Sequence, residues 1–473
     1  MSATSKRSGS RTRLEHMIQT LREEIVTGQR SAGDYIPPEL SLCEQFQLSK
    51  KTVRKGLDVL VGEGLLEKVP RIGARVTAAA QPEDVVIKFG YYPKLVREIK
   101  LQQMIDAFHE LHSHIRIQAI PVSHHYDKTR NIQRLQDDSL DVLTINAHDI
   151  EYFAGPDKDE DADTCPLEPL TPVDGVYPFL EQPFRRDGKL YALPFVFTPV
   201  ILCYNKEHFL EKELPEPDSS WTWDDLQQAG RTLSNGVDRF GFYFHLPSGN
   251  RWPLFLLQHN VVFQTDEQGR YILNDSKVKG ALSACRDLVR DPKLFPVFLS
   301  ENDNDAHALF MNRKVSMILC TYDSLNDFES APFVYDIAPV PYFREPKTLL
   351  GAIALAIHAR SGKKPAAKLF LDFMLSHQNQ MYLRLNTLSI PGLKRAAEWV
   401  GEGGTDNITN RPYRFHMYRD IIPTFRFSST LQLPIDRLLQ MGQELKLYWS
   451  QLEELDTILD QLEDKFATSA SGG

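Results

Sequence analysis

Residues 36–76 read IPPELSLCEQFQLSKKTVRKGLDVLVGEGLLEKVPRIGARV. Pro37-Pro38-Glu39 opens a helix, because proline suits a first helical turn, where no backbone N–H is needed. That helix runs to about Phe46, and Gln47-Leu48 form a short turn. Ser49 is placed to cap a second helix, Lys50 to about Glu63, with Val53, Leu57, Leu60 and Val61 inward. Gly64 ends it. Leu65–Val69 and Arg75-Val76 then read as two short strands around Pro70-Arg71-Ile72-Gly73.

Outward from this stretch, Leu14, Met17, Ile18, Leu21, Ile25 and Val26 recur at helical spacing and predict a helix over Thr12–Thr27. Residues 1–10 are polar and read as a disordered tail. Three helices and a β-hairpin make a winged helix-turn-helix over residues 11–78, followed by a small-residue linker, 79–84.

The segment resembles the GntR family of transcription regulators. Pro37, Glu39, Ser49, Thr52, Val53, Arg54, Leu60, Glu63-Gly64-Leu65, Gly73 and Val76 fit its pattern. Leu40, in place of a basic residue, and Arg71, in place of the wing's first glycine, depart from it. The first turn of a recognition helix reaches base edges in the major groove. Ser49, Lys50, Lys51, Thr52, Arg54 and Lys55 are therefore candidate DNA contacts, and Arg71 and Arg75 candidates on the wing. The resemblance implies a double-stranded DNA operator and a homodimer on paired half-sites.

Charge agrees with this division. Residues 1–78 hold 13 basic and 9 acidic side chains, a net of +4, whereas the whole chain carries −9. Only the N-terminal module is suited to a polyanion.

After the linker, strand and helix patterns alternate, as in an α/β sheet. Strands are predicted at Val85–Tyr91, Ile115–Val122, Asp141–Ile145, Lys189–Pro194, Val200–Asn205, Val315–Cys320 and Gly351–Ile357. Helices are predicted at Lys94–His112, from Tyr126, and at Leu226–Ser234, Ser276–Arg290, Asp305–Arg313, Pro365–Leu375 and Leu445–Phe466. The last has Leu452, Leu455, Ile458, Leu459 and Leu462 on one stripe. Asp187–Pro194 (DGKLYALP), Leu202–Phe209 (LCYNKEHF), Trp221–Leu226 (WTWDDL), Phe310–Met317 (FMNRKVSM) and Ala366–Phe373 (AAKLFLDF) occur in that order. In this order they resemble bacterial extracellular solute-binding proteins of the sugar-binding kind over about residues 85–466.

The fold expected is thus multidomain: a winged helix-turn-helix and, over residues 85–473, a two-lobed α/β periplasmic-binding-protein-like (type II) sensor. The resemblance implies a sugar or oligosaccharide held in an interlobe cleft. Tyr92, Asn146, His148, Tyr191, Trp252 and Tyr322 are the candidate ligand residues, because they sit at strand ends or in the loops after them.

Competing chemistries find less support. Cys43, Cys165, Cys203, Cys285 and Cys320 are odd in number and scattered, as expected in a reducing cytoplasm. Ser361-Gly362-Lys363-Lys364 is the one candidate for a pyridoxal-phosphate lysine of an aminotransferase-like domain, and it lacks the accompanying strand. His109, His112, His114, His124 and His125, and the acidic run Asp157–Asp163, lack metal-ligand spacing, so neither metal nor cofactor is expected. No nucleophile elbow is present and no enzyme activity is expected. No apolar run is long enough for a membrane span or a secretory signal. A transport-system binding protein is the alternative reading.

Overall fold

The computed structural model describes residues 13–14, 16–22, 24–25, 30–70, 72–77, 85–122, 140–150, 165–296, 300–401, 408 and 410–470. The predicted tail, the linker, Arg71, the helix from Tyr126, His124, His125 and Asp157–Asp163 lie outside them. By its internal contacts the chain divides into Met1–Lys88 with Ile105–Gln118, and Phe89–Met104 with Ala119–Gly473.

In the N-terminal module, α1 comprises the helical residues 13–14, 16–22 and 24–25, α2 spans Glu39–Phe46 and α3 spans Lys50–Gly62. Strands β1 (Leu66–Val69) and β2 (Gly73–Val76) pair antiparallel, Leu66 opposite Val76, to form the wing. Met17, Leu21 and Ile25 of α1 bury with Leu42, Val53, Leu57 and Leu60. A Cβ at Gly56 would come 2.2 Å from the Met17 methyl, so α1 crosses α3 at a position without a side chain. Ser49 caps α3 by accepting from the Thr52 N–H at 3.2 Å, as its position implies.

The larger body is built on a mixed sheet. It contains β3 (Val85–Tyr91), β4 (Ile115–Pro121), β5 (Val142–Asn146), β6 (Leu193–Asn205), β7 (Phe240–Tyr243), β8 (Val315–Thr321), β9 (Tyr335–Ala338) and β10 (Thr348–Ile357). The order is β4-β3-β5-β10-β6-β8-β7, with β9 also on β6. Leu193–Pro199 of β6 pairs with β10, and Val200–Tyr204 pairs with β8. One strand therefore belongs to both lobes. Lobe 1 holds β3, β4, β5, β10 and the first half of β6; lobe 2 holds the second half, β7, β8 and β9.

Three expectations need correction. Lys189–Pro194 and Val200–Asn205 are not two strands: a two-residue strand, Lys189–Leu190, precedes the continuous β6, all of it buried. The helix over Lys94–His112 is two helices, Leu95–Glu98 and Leu101–Leu111, because Lys100 adopts φ +54°, which no α-helix accommodates. The helix Leu445–Phe466 is likewise two, Ile435–Trp449 and Leu455–Ala470, separated at Gln451 with φ +61°. Leu452 lies in that break and is 73% exposed, off the buried stripe of Leu455, Ile458, Leu459 and Leu462.

Lobe 2 depends on one close approach. A Cβ at Gly241 of β7 would stand 2.2 Å from the carbonyl oxygen of Gly230, on the helix Trp223–Leu233. Backbone rather than a flexible side chain blocks the space. Gly241→Ala is expected to destabilise the body by about 1–3 kcal/mol through overpacking. A lowered urea midpoint with unchanged slope would show this.

Candidate functional site

In lobe 1, β3 and β5 run parallel, Phe89 beside Val142. In lobe 2, β7 and β8 run parallel, Phe240 beside Val315. Ligands of open α/β sheets bind outside the carboxyl ends of such strands. Here those ends carry Tyr92 and Lys94 after β3, and Asn146, His148 and Asp149 after β5. They carry His245 to Arg251 after β7, and Tyr322 to Asp327 after β8.

The lobe 1 group is one hydrogen-bonded unit. The Tyr92 hydroxyl donates to Asp149. The same carboxylate accepts from the Asn146 N–H at 2.8 Å, and Asn146 Oδ1 accepts from the His148 and Asp149 N–H groups. His148 Nδ1 meets Ser428 Oγ at 3.0 Å. Burial pushes Asp149 up to about 6, partly offset by the Asn146 and Tyr92 donors, and pushes His148 down to about 4. Of the predicted ligand residues, the structure brings together Tyr92, Asn146 and His148.

The other three lie elsewhere. Tyr191 has Cys165 and Asp187 as neighbours. Trp252 is 1% exposed, with its ring edge-on to Trp449 at 6.0 Å. Tyr322 is fully buried; its hydroxyl donates to the Phe415 carbonyl and accepts from the Tyr418 N–H. Its ring joins the cluster of Phe415 and Tyr418. The next residue, Asp323, turns to the opposite set of partners, Thr198 and Lys94.

Sequence reasoning missed the charged residues of the site. Lys94 Nζ lies 2.6 Å from Asp323 Oδ2 and 3.7 Å from Glu98 Oε1. Thr198, on β6, donates to Asp323 at 2.8 Å. Burial acts against charge on Lys94, but the carboxylates of Asp323 and Glu98 outweigh it and raise its pKa. Burial likewise works against Asp323, and Lys94 overrides it and holds the carboxyl well below its ordinary value. Arg251 is 1% exposed, donates to the Leu319 carbonyl and pairs with Asp303 at 3.1 Å. The signal was present for Lys94 and Asp323, each of which follows an apolar strand within three residues, where a solvated loop was equally expected; Arg251 lies further along the loop after its strand.

Glu98 is different. Burial pushes it up to about 8 from an ordinary 4.5, and Lys94 only partly offsets this. The unfolded chain releases that proton near 4.5, whereas the folded chain keeps it to about 8. The stabilising contribution is complete below 4.5 and is lost as pH rises through this window. Stability should fall with a slope of up to about 1.4 kcal/mol per pH unit from this group. Glu98→Gln should flatten that slope in urea melts taken across the window.

On the N-terminal module, Ser49, Lys50, Lys51, Arg54 and Lys55 are exposed and Thr52 half-buried on one end of α3. Arg54 Nε donates to both Glu39 oxygens, at 2.8 and 2.9 Å, and Lys50 lies 3.7 Å from the same carboxylate. Arg75 is tied across the wing to Glu67 at 2.5 Å. Both guanidinium groups have raised pKa values, first through these hydrogen bonds.

The remaining motifs are structural. Ser361 Oγ donates to Asp141 Oδ1 at 2.7 Å and Lys363 Nζ lies 3.2 Å from Oδ2, so the serine–lysine motif staples the end of β10 to the start of β5. His109 Nε2 accepts the Ile117 N–H at 2.8 Å. Among the described residues no cluster could hold a metal, and no helix is long and apolar enough to cross a membrane. A cavity of about 540 Å³ lies between the β9–β10 connector and residues 414–424, lined by Val340, Tyr342, Lys347, Thr348, Arg414 and Ile421 among others. None of the six predicted ligand residues lines it.

Two lobes sharing a crossing strand, with polar groups gathered at the strand ends, define a solute-binding fold; the three helices and wing define a DNA-binding type of module. The chain belongs to the bacterial extracellular solute-binding protein family, whose profile matches residues 96–381, and residues 14–76 match the bacterial regulatory proteins of the gntR family. It is 25% identical over 220 residues to a galactooligosaccharide-binding protein of Bacillus subtilis, 45% of this chain and 51% of that protein. The chain thus spans about half the length of the curated solute-binding relatives it matches. Its N-terminal part is 35% identical over 60 residues to an uncharacterized HTH-type transcriptional regulator of Escherichia coli, 13% of this chain and 26% of that protein. In fold it resembles an ABC substrate-binding protein of Listeria monocytogenes solved in complex with cycloalternan, with TM-score 0.65 and 17% identity, covering 82% of this chain and all of that one. The matched families are a DNA-binding regulator and a solute-binding protein, both non-enzymatic kinds.

Proposed function

We propose that this protein is a ligand-responsive transcription regulator that senses a carbohydrate between its lobes and changes operator affinity. The observation that carries the reading is the joining, in one chain, of a gntR-type region and a solute-binding body. A binding body that served transport alone has no use for a helix bearing Lys50, Lys51, Arg54 and Lys55 at its exposed start.

The ligand is an oligosaccharide, in keeping with the galactooligosaccharide- and arabinooligosaccharide-binding relatives. Tyr92, Asn146 and His148 form its lobe 1 contacts, together with Asp149, and Thr198, Asp323 and Arg251 face it from the crossing strand and lobe 2. Fixed carboxylates and amides suit sugar hydroxyls, each of which donates and accepts. Ser49, Lys50, Lys51, Thr52, Arg54 and Lys55, with Arg71 and Arg75 on the wing, contact DNA, and a homodimer in the cytoplasm spans two half-sites. Ligand binding between the lobes is coupled to the winged helices by about 1–3 kcal/mol, a 5- to 150-fold change in operator affinity.

The test has two steps. Thermal unfolding against malto-, galacto- and arabino-oligosaccharides identifies a ligand by a saturable rise in Tm. Operator fragments selected from genomic DNA are then titrated with and without it. A Tm rise with a changed DNA affinity supports the reading. A Tm rise with unchanged DNA affinity, or DNA binding insensitive to every sugar, overturns it.

A further inference from the structure

Two short turns meet at the lobe boundary. One, Leu95–Glu98, follows β3 of lobe 1; the other, Tyr322–Asp327, follows β8 of lobe 2. Lys94 and Arg97, three residues apart, face Asp323 and Asp327, four residues apart, so both cations pair across the boundary at once. The acceptors are fixed in place. Asp323 accepts from Thr198 Oγ1, on the half of β6 that pairs in lobe 1, and its own N–H donates back to that hydroxyl at 3.0 Å, so it is held across the boundary by the crossing strand as well. Asp327 meets His307 Nδ1 at 2.8 Å. Beside them Ser389, adjoining the short strand Ile390–Pro391 that pairs with lobe 1 residues of β6, donates to the Glu98 carbonyl at 2.7 Å and accepts from Asn326 Nδ2 at 3.1 Å. The ammonium of Lys94 thus occupies the acid-lined position at the strand ends where a ligand's polar groups would enter.

We propose that Lys94 is a built-in ligand: the Lys94–Asp323 pair, seconded by Arg97–Asp327, latches the lobes shut in the absence of any solute. The inference concerns the ligand-free protein and stands whether or not the solute is a sugar. The physical basis is an asymmetry. A satisfied pair with one buried partner adds little net stability, but removing Lys94, whose side chain is 37% exposed, leaves the buried carboxylate of Asp323 without its cation. Closed lobes with both partners present leave no stranded charge. With Lys94 neutralised, Asp323 is stranded when the lobes are closed and hydrated when they open. Closure therefore requires the cation, and an incoming solute must replace these bonds with its own rather than simply fill a vacant cleft.

The experiment measures the interlobe distance in the full-length, ligand-free protein. Spin labels are placed at Leu210→Cys in lobe 2, 80% exposed, and Lys368→Cys in lobe 1, also exposed, with the half-buried Cys43 and Cys165 changed to serine. The expected result is one short-distance population in the parent and a longer one in Lys94→Gln. The closed-to-open ratio should fall about tenfold or more, the discounted cost of stranding one partner of a partly exposed pair. Lys94→Arg, which keeps the charge, should retain the short distance. Asp323→Asn, which removes the other charge, should open the lobes as Lys94→Gln does, and serves as the second reading if Lys94→Gln does not fold. A distance distribution unchanged by loss of either charge, or opened equally by Lys94→Arg, would overturn the latch.

Discussion

Trp252→Ala will lower the stability of the larger body by about 3–5 kcal/mol, the usual cost of emptying a buried tryptophan site. The indole is 1% exposed and packs edge-on against Trp449. A Cβ at Gly442 would stand 2.8 Å from its Nε1, so the helix Ile435–Trp449 rests directly on the ring. Alanine cannot fill that space, and the backbone of that helix at Gly442, with the Trp449 ring at its end, limits collapse into it. The sequence reading gave Trp252 to the ligand, because an aromatic in a loop after a strand is a natural sugar platform. A platform needs a free face, and this ring has none. The measurement is urea unfolding followed by circular dichroism, beside a ligand titration. A large drop in midpoint assigns the residue to packing. Stability within about 0.5 kcal/mol of the parent, an ordinary surface value, together with lost ligand affinity would return it to the site.

What was legible in the chain was local. The cap at Ser49, the apolar faces of α1 and α3 and the turn at Gly64 are short-range patterns, and the structure shows them where the sequence placed them. What escaped was decided by tertiary context. The expected strands end at Pro194 and resume at Val200, yet β6 runs unbroken between them, because Pro199 is the last residue paired with β10 and Val200 the first paired with β8. Lys100 and Gln451 carry positive φ, although neither residue type announces it, and each divides what periodicity reads as one helix. In the candidate site, the cluster of Tyr92, Asn146 and His148 was legible because strand ends are. Lys94, Asp149 and Asp323 were not, because a charge in a loop acquires meaning only when the fold brings a partner to it, the opposite charge for Lys94 and Asp323 and the Tyr92 hydroxyl for Asp149.

Arg54→Ala will weaken operator binding by about 1–3 kcal/mol, roughly ten- to a hundredfold, while ligand binding stays at the parent's value. The structure adds a second arm. Glu39, at the first position of α2, holds Arg54 through both carboxylate oxygens and lies near Lys50. The pair is exposed, so its own contribution to stability is small. Its consequence is electrostatic: a carboxylate in the midst of the basic end of α3 reduces the charge offered to phosphate and fixes where the guanidinium points. If Arg54 reads a base or positions the helix from that fixed location, Glu39→Gln will raise binding to non-operator DNA, steepen its dependence on salt, and narrow the gap between operator and non-operator affinity. Arg54→Ala alone will do the reverse for both DNAs and shed about one unit of salt slope if the contact is to phosphate. The measurement is fluorescence anisotropy on operator and scrambled duplexes over a range of salt. Equal operator affinity in the parent and Arg54→Ala would remove Arg54 from the interface. An unchanged operator-to-scrambled ratio in Glu39→Gln would reduce the Glu39–Arg54 pair to a surface ion pair without part in recognition.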